Sequence, residues 1–144
     1  MWVTCYTDAS FRRDKGRWAI WLRSDRGRIV KSGACPDYVK TSGAAELAAI
    51  YAAIYVAIRM WGDEVSGVLV RSDCQTAQDW LEGRARARQK DARRLISLTE
   101  SLLREHGVEL RCRWVRGHQP RKRSTEAYLN DACDRLAARG WKQR

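Results

Sequence analysis

The sequence predicts a single α/β domain with strands and helices in the order β-β-β-α-β-α-β-α. Three observations carry this reading. Residues 2–32 are β-rich runs joined by short turns, Ala44 to Trp61 is one long apolar run of helix formers, and Asp8 and Asp73 each close a strand-like run.

Each element has its own signal. Trp2 to Asp8 concentrates aromatic and β-branched residues into a strand, and Phe11 to Gly16 reads as the turn after it. A carboxylate closing a buried strand is costly unless hydrogen bonds or a cation compensate it, and alone Asp8 reads as a turn-former or cap. Arg17 to Arg23 is a second strand. Ser24-Asp25-Arg26-Gly27 signals a hairpin, and Arg28 to Ser32 returns as a third strand, completing an antiparallel meander. Gly33 to Gly43 connects to the next helix, which either Thr41 or Ser42 can cap.

Ala44 to Trp61 is apolar nearly all round, so it is expected to be packed on most sides as the central helix. Its only acid, Glu46, falls in the first turn by this reading. It either serves the helix dipole there or points inward, where it needs a partner. Gly67 to Asp73 is a fourth strand, followed by a helix from Gln75 to Leu81. Strand, carboxylate, then helix is the pattern of a parallel strand whose carboxyl end gathers functional residues. Neighbouring parallel strand ends would set Asp8 and Asp73 side by side. Gly83 to Arg94 is the densest basic run, holding Arg84, Arg86 and Arg88, and reads either as a solvated face or as a phosphate grip. It leads into an amphipathic helix with Leu95, Leu98, Leu102 and Leu103 on one side, ending near His106-Gly107. A fifth strand, Val108 to Val115, alternates Leu110, Cys112 and Trp114 against Arg111 and Arg113. After a polar loop holding His118, a last helix begins near Asn130 with Cys133, Leu136, Ala137 and Trp141 on one face. At ~100° per residue, Asp134 lies at the edge of that face and Asp131 further toward solvent.

Composition narrows the function. A chain of 144 residues suits one core, residues 1–144 forming one domain, and 44% hydrophobic with 31% charged residues excludes a disordered chain. The net charge of +11 favours a polyanionic partner, most simply nucleic acid. The five cysteines are odd in number and lack C-x-x-C spacing, which suits reduced thiols in a cytoplasmic protein. No signal-peptide pattern is visible. The longest uncharged run, Leu47 to Ile58, is shorter than the ~20 residues a bilayer needs, so no membrane association is expected.

Five stretches taken together resemble the type 1 ribonuclease H family. They are Tyr-Thr-Asp-Ala-Ser at 6–10, Ala-Glu-Leu-x-Ala-Ile at 45–50, Ser-Asp-Cys-Gln at 72–75, Trp-Val-Arg-Gly-His at 114–118 and Asn-Asp-Ala-Cys-Asp-Arg-Leu-Ala at 130–137. The resemblance spans essentially the whole chain. It implies the ribonuclease H-like fold, a five-stranded mixed sheet with helices on both faces. Residue by residue, it implies that Asp8, Glu46, Asp73 and Asp134 are metal-binding carboxylates and that His118 aids proton transfer or product departure. It further implies an endoribonuclease that cuts the RNA strand of an RNA–DNA hybrid with two Mg²⁺ or Mn²⁺ ions, leaving 5′-phosphates. Thr41, Ser42, Gly43, Asn130 and the arginines at 84, 86 and 88 are expected to touch the hybrid, and the protein is expected to be a monomer. The chemistry agrees, since converging acids repel unless divalent ions neutralise them, and carboxylate oxygens suit hard cations.

The chain departs from this family in two places. Its first turn lacks the glycine-rich sequence common in bacterial members. The segment after Asp73 is too short for the separate basic, tryptophan-containing protrusion with which many of them grip the hybrid. Two other functions fit parts of the sequence. A junction resolvase would share the acids but cut DNA, against which the His118 loop and the Asn130–Asp134 motif speak. A non-catalytic nucleic-acid-binding module would gain nothing from clustered acids.

Overall fold

The computed structural model describes residues 1–116. Within them, strand β1 (Trp2–Arg12), β2 (Lys15–Ser24) and β3 (Gly27–Ala34) form the expected meander. Helix α1 (Ser42–Trp61), β4 (Gly67–Ser72), helices α2 (Gln75–Leu81) and α3 (Lys90–His106), and β5 (Glu109–Trp114) follow. The sheet order is β3-β2-β1-β4-β5, with β1 antiparallel to β2 but parallel to β4, and β4 parallel to β5. This is the mixed five-stranded sheet the sequence predicts. The predicted element order counts one helix between β4 and β5, but the two helical stretches read there from the sequence form two separate helices, α2 and α3. The expected last helix, with Asn130 and Asp134, lies outside the described residues, as does His118.

The core sits between the sheet and α1. Fully buried Ile20 and Leu22 of β2, Val3 of β1, and Val68 and Val70 of β4 share one cluster with Leu47, Ile50 and Ile54 of α1. Burying each large aliphatic side chain contributes about 1.5–3 kcal/mol. Leu95 carries α3 into the same core. By length and hydropathy alone, α1 with its following turn would suffice to cross a membrane. Here it is the central helix of a folded domain, with Ala44 to Ile50 buried except for Glu46.

Three expectations need correction. First, β1 does not stop at Asp8. It runs on to Arg12 because β2 continues to pair with it through Arg12↔Lys15, and the turn shrinks to Arg13 and Asp14. Both turn residues have positive φ, 50° and 61°, as a two-residue hairpin loop requires. Second, α1 starts at Ser42, so its first turn holds no acid and Glu46 lies just beyond it. Third, Leu98 is 40% exposed, and the inward face of α3 is completed by Ala92 and Thr99.

Candidate active site

The parallel register of β1 and β4 brings the acids together. Pairing between the two strands runs from Trp2↔Gly67 to Tyr6↔Arg71, so Asp8 and Asp73 each follow by two residues at the same edge of the sheet. Glu46 approaches from the N-terminal part of α1. The three carboxylates each offer an oxygen within 4.8 Å of the others, as a shared cation would need. Asp8 is buried at 3% exposure, and Glu46 and Asp73 are half-buried. The fourth acid of the predicted set, Asp134, lies outside the described residues.

Hydrogen bonds from α2, from the end of β5 and within the turn itself hold Asp73 in place. The Ser72 carbonyl accepts from the buried Gln78 side chain at 2.8 Å and from the Val115 N–H at 3.0 Å. The Ser72 hydroxyl accepts from the Cys74 N–H at 3.0 Å, and the Trp114 indole N–H donates to the Asp73 carbonyl at 3.2 Å. Trp114 is therefore not the inward-facing residue that strand alternation predicts. It is 50% exposed and braces the Asp73 turn from outside. On the other strand, the Ala9 N–H donates to Asp8 Oδ1 at 2.9 Å. Thr41, not Ser42, caps α1, its hydroxyl accepting from the Ala44 N–H at 3.3 Å.

Beside the acids lies an open groove of about 440 Å³ lined by Thr41, Ser42, Gly43, Glu46, Thr76 and Trp80. Sequence reading picked out the first four of these but missed the wall formed by α2. A Cβ on Gly43 would meet the Trp80 ring at 2.8 Å, so the helix start and the indole can pack this closely only with glycine there. The signal for Trp80 was its place one turn beyond Thr76 on the helix that follows Asp73.

The basic run divides. Arg84 pairs with Asp79 and Glu82, each at 3.1 Å, whereas Arg86 and Arg88 are exposed on either side of the buried Ala87. Ala87 fastens the connection to the core and leaves those two guanidinium groups toward solvent. The ion pairs of Arg84 are solvent-exposed and weak enough for a phosphate to compete with them.

The donor set is all oxygen, which fits a hard divalent cation such as Mg²⁺ or Mn²⁺. Cys74, next to Asp73, does not alter this. Its sulfur is a soft donor that a hard cation disfavours, and burial pushes its thiol up to about 11, partly offset by the Ala77 and Thr76 amides beside the sulfur. The four described cysteines are all free thiols. Burial likewise pushes Cys112 up to about 12. A native value above the unfolded one stabilises the fold below about pH 9, and that stabilisation is lost as pH rises from 9 toward 12. Melting temperatures of wild type and Cys112→Ala should therefore converge across that window, and a constant gap between them would refute the assignment.

The sequence model of the RNase H family matches residues 2–142. Among solved structures, the chain is similar to RNase H1 from the archaeon Halobacterium salinarum, at 22% identity and a TM-score of 0.76 over 100% of both chains. It is also similar to the N-terminal RNase H domain of a Mycobacterium tuberculosis protein, at 20% identity and a TM-score of 0.66 over 96% of this chain and 97% of that one. LC11-RNase H1, solved in complex with an RNA/DNA hybrid, is 18% identical with a TM-score of 0.69, over 93% of this chain and 98% of that one. No curated protein matches the chain. The strand order, the three acids at the edge between β1 and β4, and a match over nearly every residue agree: the chain belongs to the RNase H family.

Proposed function

We propose that the protein hydrolyses the RNA strand of RNA–DNA hybrids using two divalent ions, Mg²⁺ or Mn²⁺, held by Asp8, Glu46, Asp73 and Asp134. The observation that carries this reading is the convergence of three carboxylates within 4.8 Å beside an open groove on a strongly basic chain. When bound, a pair of such ions activates a water and stabilises the leaving oxygen of an in-line displacement at phosphorus. The chain's own residues do the rest. Asp8, from its buried position, and Asp73, on its braced turn, fix the ion sites, and Glu46 completes them from the helix. His118 takes or delivers a proton as the product departs. Ser42 and Gly43 present first-turn N–H groups of α1 to the groove, where a 2′-hydroxyl or base edge can accept them. Trp80 offers a flat apolar wall for the sugar-phosphate backbone. The free thiols suit a reducing compartment, and we place the protein in the cytoplasm as a monomer.

Incubating labelled RNA–DNA hybrid, duplex DNA and a four-way junction with the protein, with and without Mg²⁺ or Mn²⁺, tests this reading. Metal-dependent cutting of the RNA strand alone is expected. Cutting of the junction would identify a resolvase, and metal-dependent binding without turnover would identify a binding module.

The exposed arginines give a second test. Neutralised phosphates release counterions, so affinity falls with salt by a slope of ~0.9 per contact on B-form duplex, with the same direction on a hybrid. Arg86→Ala with Arg88→Ala should raise KM and flatten that slope by on the order of one to two units. Turnover at saturating hybrid should hardly move, because these contacts serve ground state and transition state alike. An unchanged salt slope would put both residues on a solvated face.

A further inference from the structure

We propose that Asp91 is a positioning residue that sets the width of the substrate groove, a role that rests on the reading of that groove as the hybrid channel. Asp91 lies in the first turn of α3 and ties together the starts of two helices. Its Oδ2 accepts from the Lys40 backbone N–H at 2.9 Å and from the Thr41 hydroxyl at 3.0 Å. Its Oδ1 accepts from the Ala92 N–H at 2.8 Å in its own helix. Thr41 in turn accepts from the Ala44 N–H through its hydroxyl and from the Ala45 N–H, at 3.1 Å, through its carbonyl. One carboxylate therefore orients the residue that caps α1 while securing the start of α3.

A second tie runs parallel to the first. The Arg94 guanidinium, one turn along α3, sits 3.9 Å from the centre of the Tyr38 ring. Asp91 and Arg94 together hold the connection that ends at Thr41 against α3. The consequence for the site follows from what flanks each tie. Thr41, Ser42 and Gly43 line the groove on one side, and Gln89, two residues before Asp91, lines it as well. Fixing Asp91 to Lys40 and Thr41 therefore fixes the span between these two parts of the wall. Hydrogen bonds to a charged acceptor are the stronger kind, and two of them share one oxygen here. Asp8 and Asp73 belong to the sheet and Glu46 lies beyond the first turn of α1, so the tie holds none of the three acids directly.

Asp91→Ala should raise KM for the hybrid about 3- to 10-fold, the size expected for a lost positioning hydrogen bond. The turnover rate and the Mg²⁺ concentration for half-maximal activity should stay close to wild type. Asp91→Asn keeps one oxygen able to accept from Thr41 and should lie between the two. Amide hydrogen exchange gives a readout independent of activity. In Asp91→Ala, the amides of residues 42–45 should exchange faster relative to those of residues 52–58, which report opening of the whole helix. KM unchanged while turnover falls in step with the folded fraction would overturn the proposal, as would equal relative exchange at residues 42–45. If the wild-type protein fails to cut hybrid at all, the substrate reading fails, and the exchange comparison still decides whether Asp91 holds the cap.

Discussion

Asp73→Asn is expected to reduce hybrid cleavage by on the order of 10³-fold or more while hybrid binding stays equal or tightens. Asparagine has nearly the same shape but lacks the charge a divalent ion needs. The turn itself should survive, since the hydrogen bonds to the Ser72 and Asp73 carbonyls and to the Ser72 hydroxyl are kept in the variant. Binding moves the other way because one fewer negative charge faces the phosphates. Rate and affinity therefore separate, which a misfolded variant would not produce. The measurement is single-turnover cleavage at saturating metal beside equilibrium hybrid binding. Near-normal cleavage would remove Asp73 from the metal site.

His118→Ala should slow turnover by about 10²- to 10⁴-fold, the usual contribution of a general acid or base, without eliminating it. The predicted role is to assist a reaction for which the carboxylates already hold the ions, so the Mg²⁺ titration of residual activity should keep its midpoint. Asp73→Asn and His118→Ala thus differ in kind. On the proposed reading, one removes a site for the cation, and the other removes a proton carrier that buffer bases can partly replace. A collapse of metal affinity in His118→Ala would make the histidine a ligand and the assigned role wrong.

Most of the fold is legible because its signals are local. Period-two alternation and the Ser24–Gly27 turn announce the meander, and the apolar run after Thr41 announces α1. Asp73 stands out because it follows a strand and Asp8 because it closes the apolar stretch of one, and their meeting follows once β1 and β4 are taken as parallel neighbours. What escaped depends on pairing and contact partners rather than on local composition. Nothing in Ala9-Ser10-Phe11-Arg12 favours a long strand, and β2 imposes it by pairing. Trp114 looks like a core residue in an alternating strand, yet β5 is an edge strand and its last residue turns toward the Asp73 carbonyl. Asp91 resembles an ordinary helix-start acid. Its second set of bonds, to Lys40 and Thr41, lies some fifty positions away and carries no local signature.

The apolar character of α1 also has a consequence during synthesis. As the chain leaves the ribosome, this helix emerges as a segment that membrane-targeting factors would bind by hydropathy alone. The order of elements supplies a competitor. The three strands of the meander precede it, and their pairing with one another needs no later part of the chain, so their apolar face can form before α1 appears. The helix can then dock on β1 and β2 as it emerges, whereas β4 must wait for the next stretch of chain. Moving α1 ahead of its strands by circular permutation would leave the same finished contacts but expose the helix to those factors first. Nascent chains of the permuted protein should be captured at the membrane more often than those of the natural order.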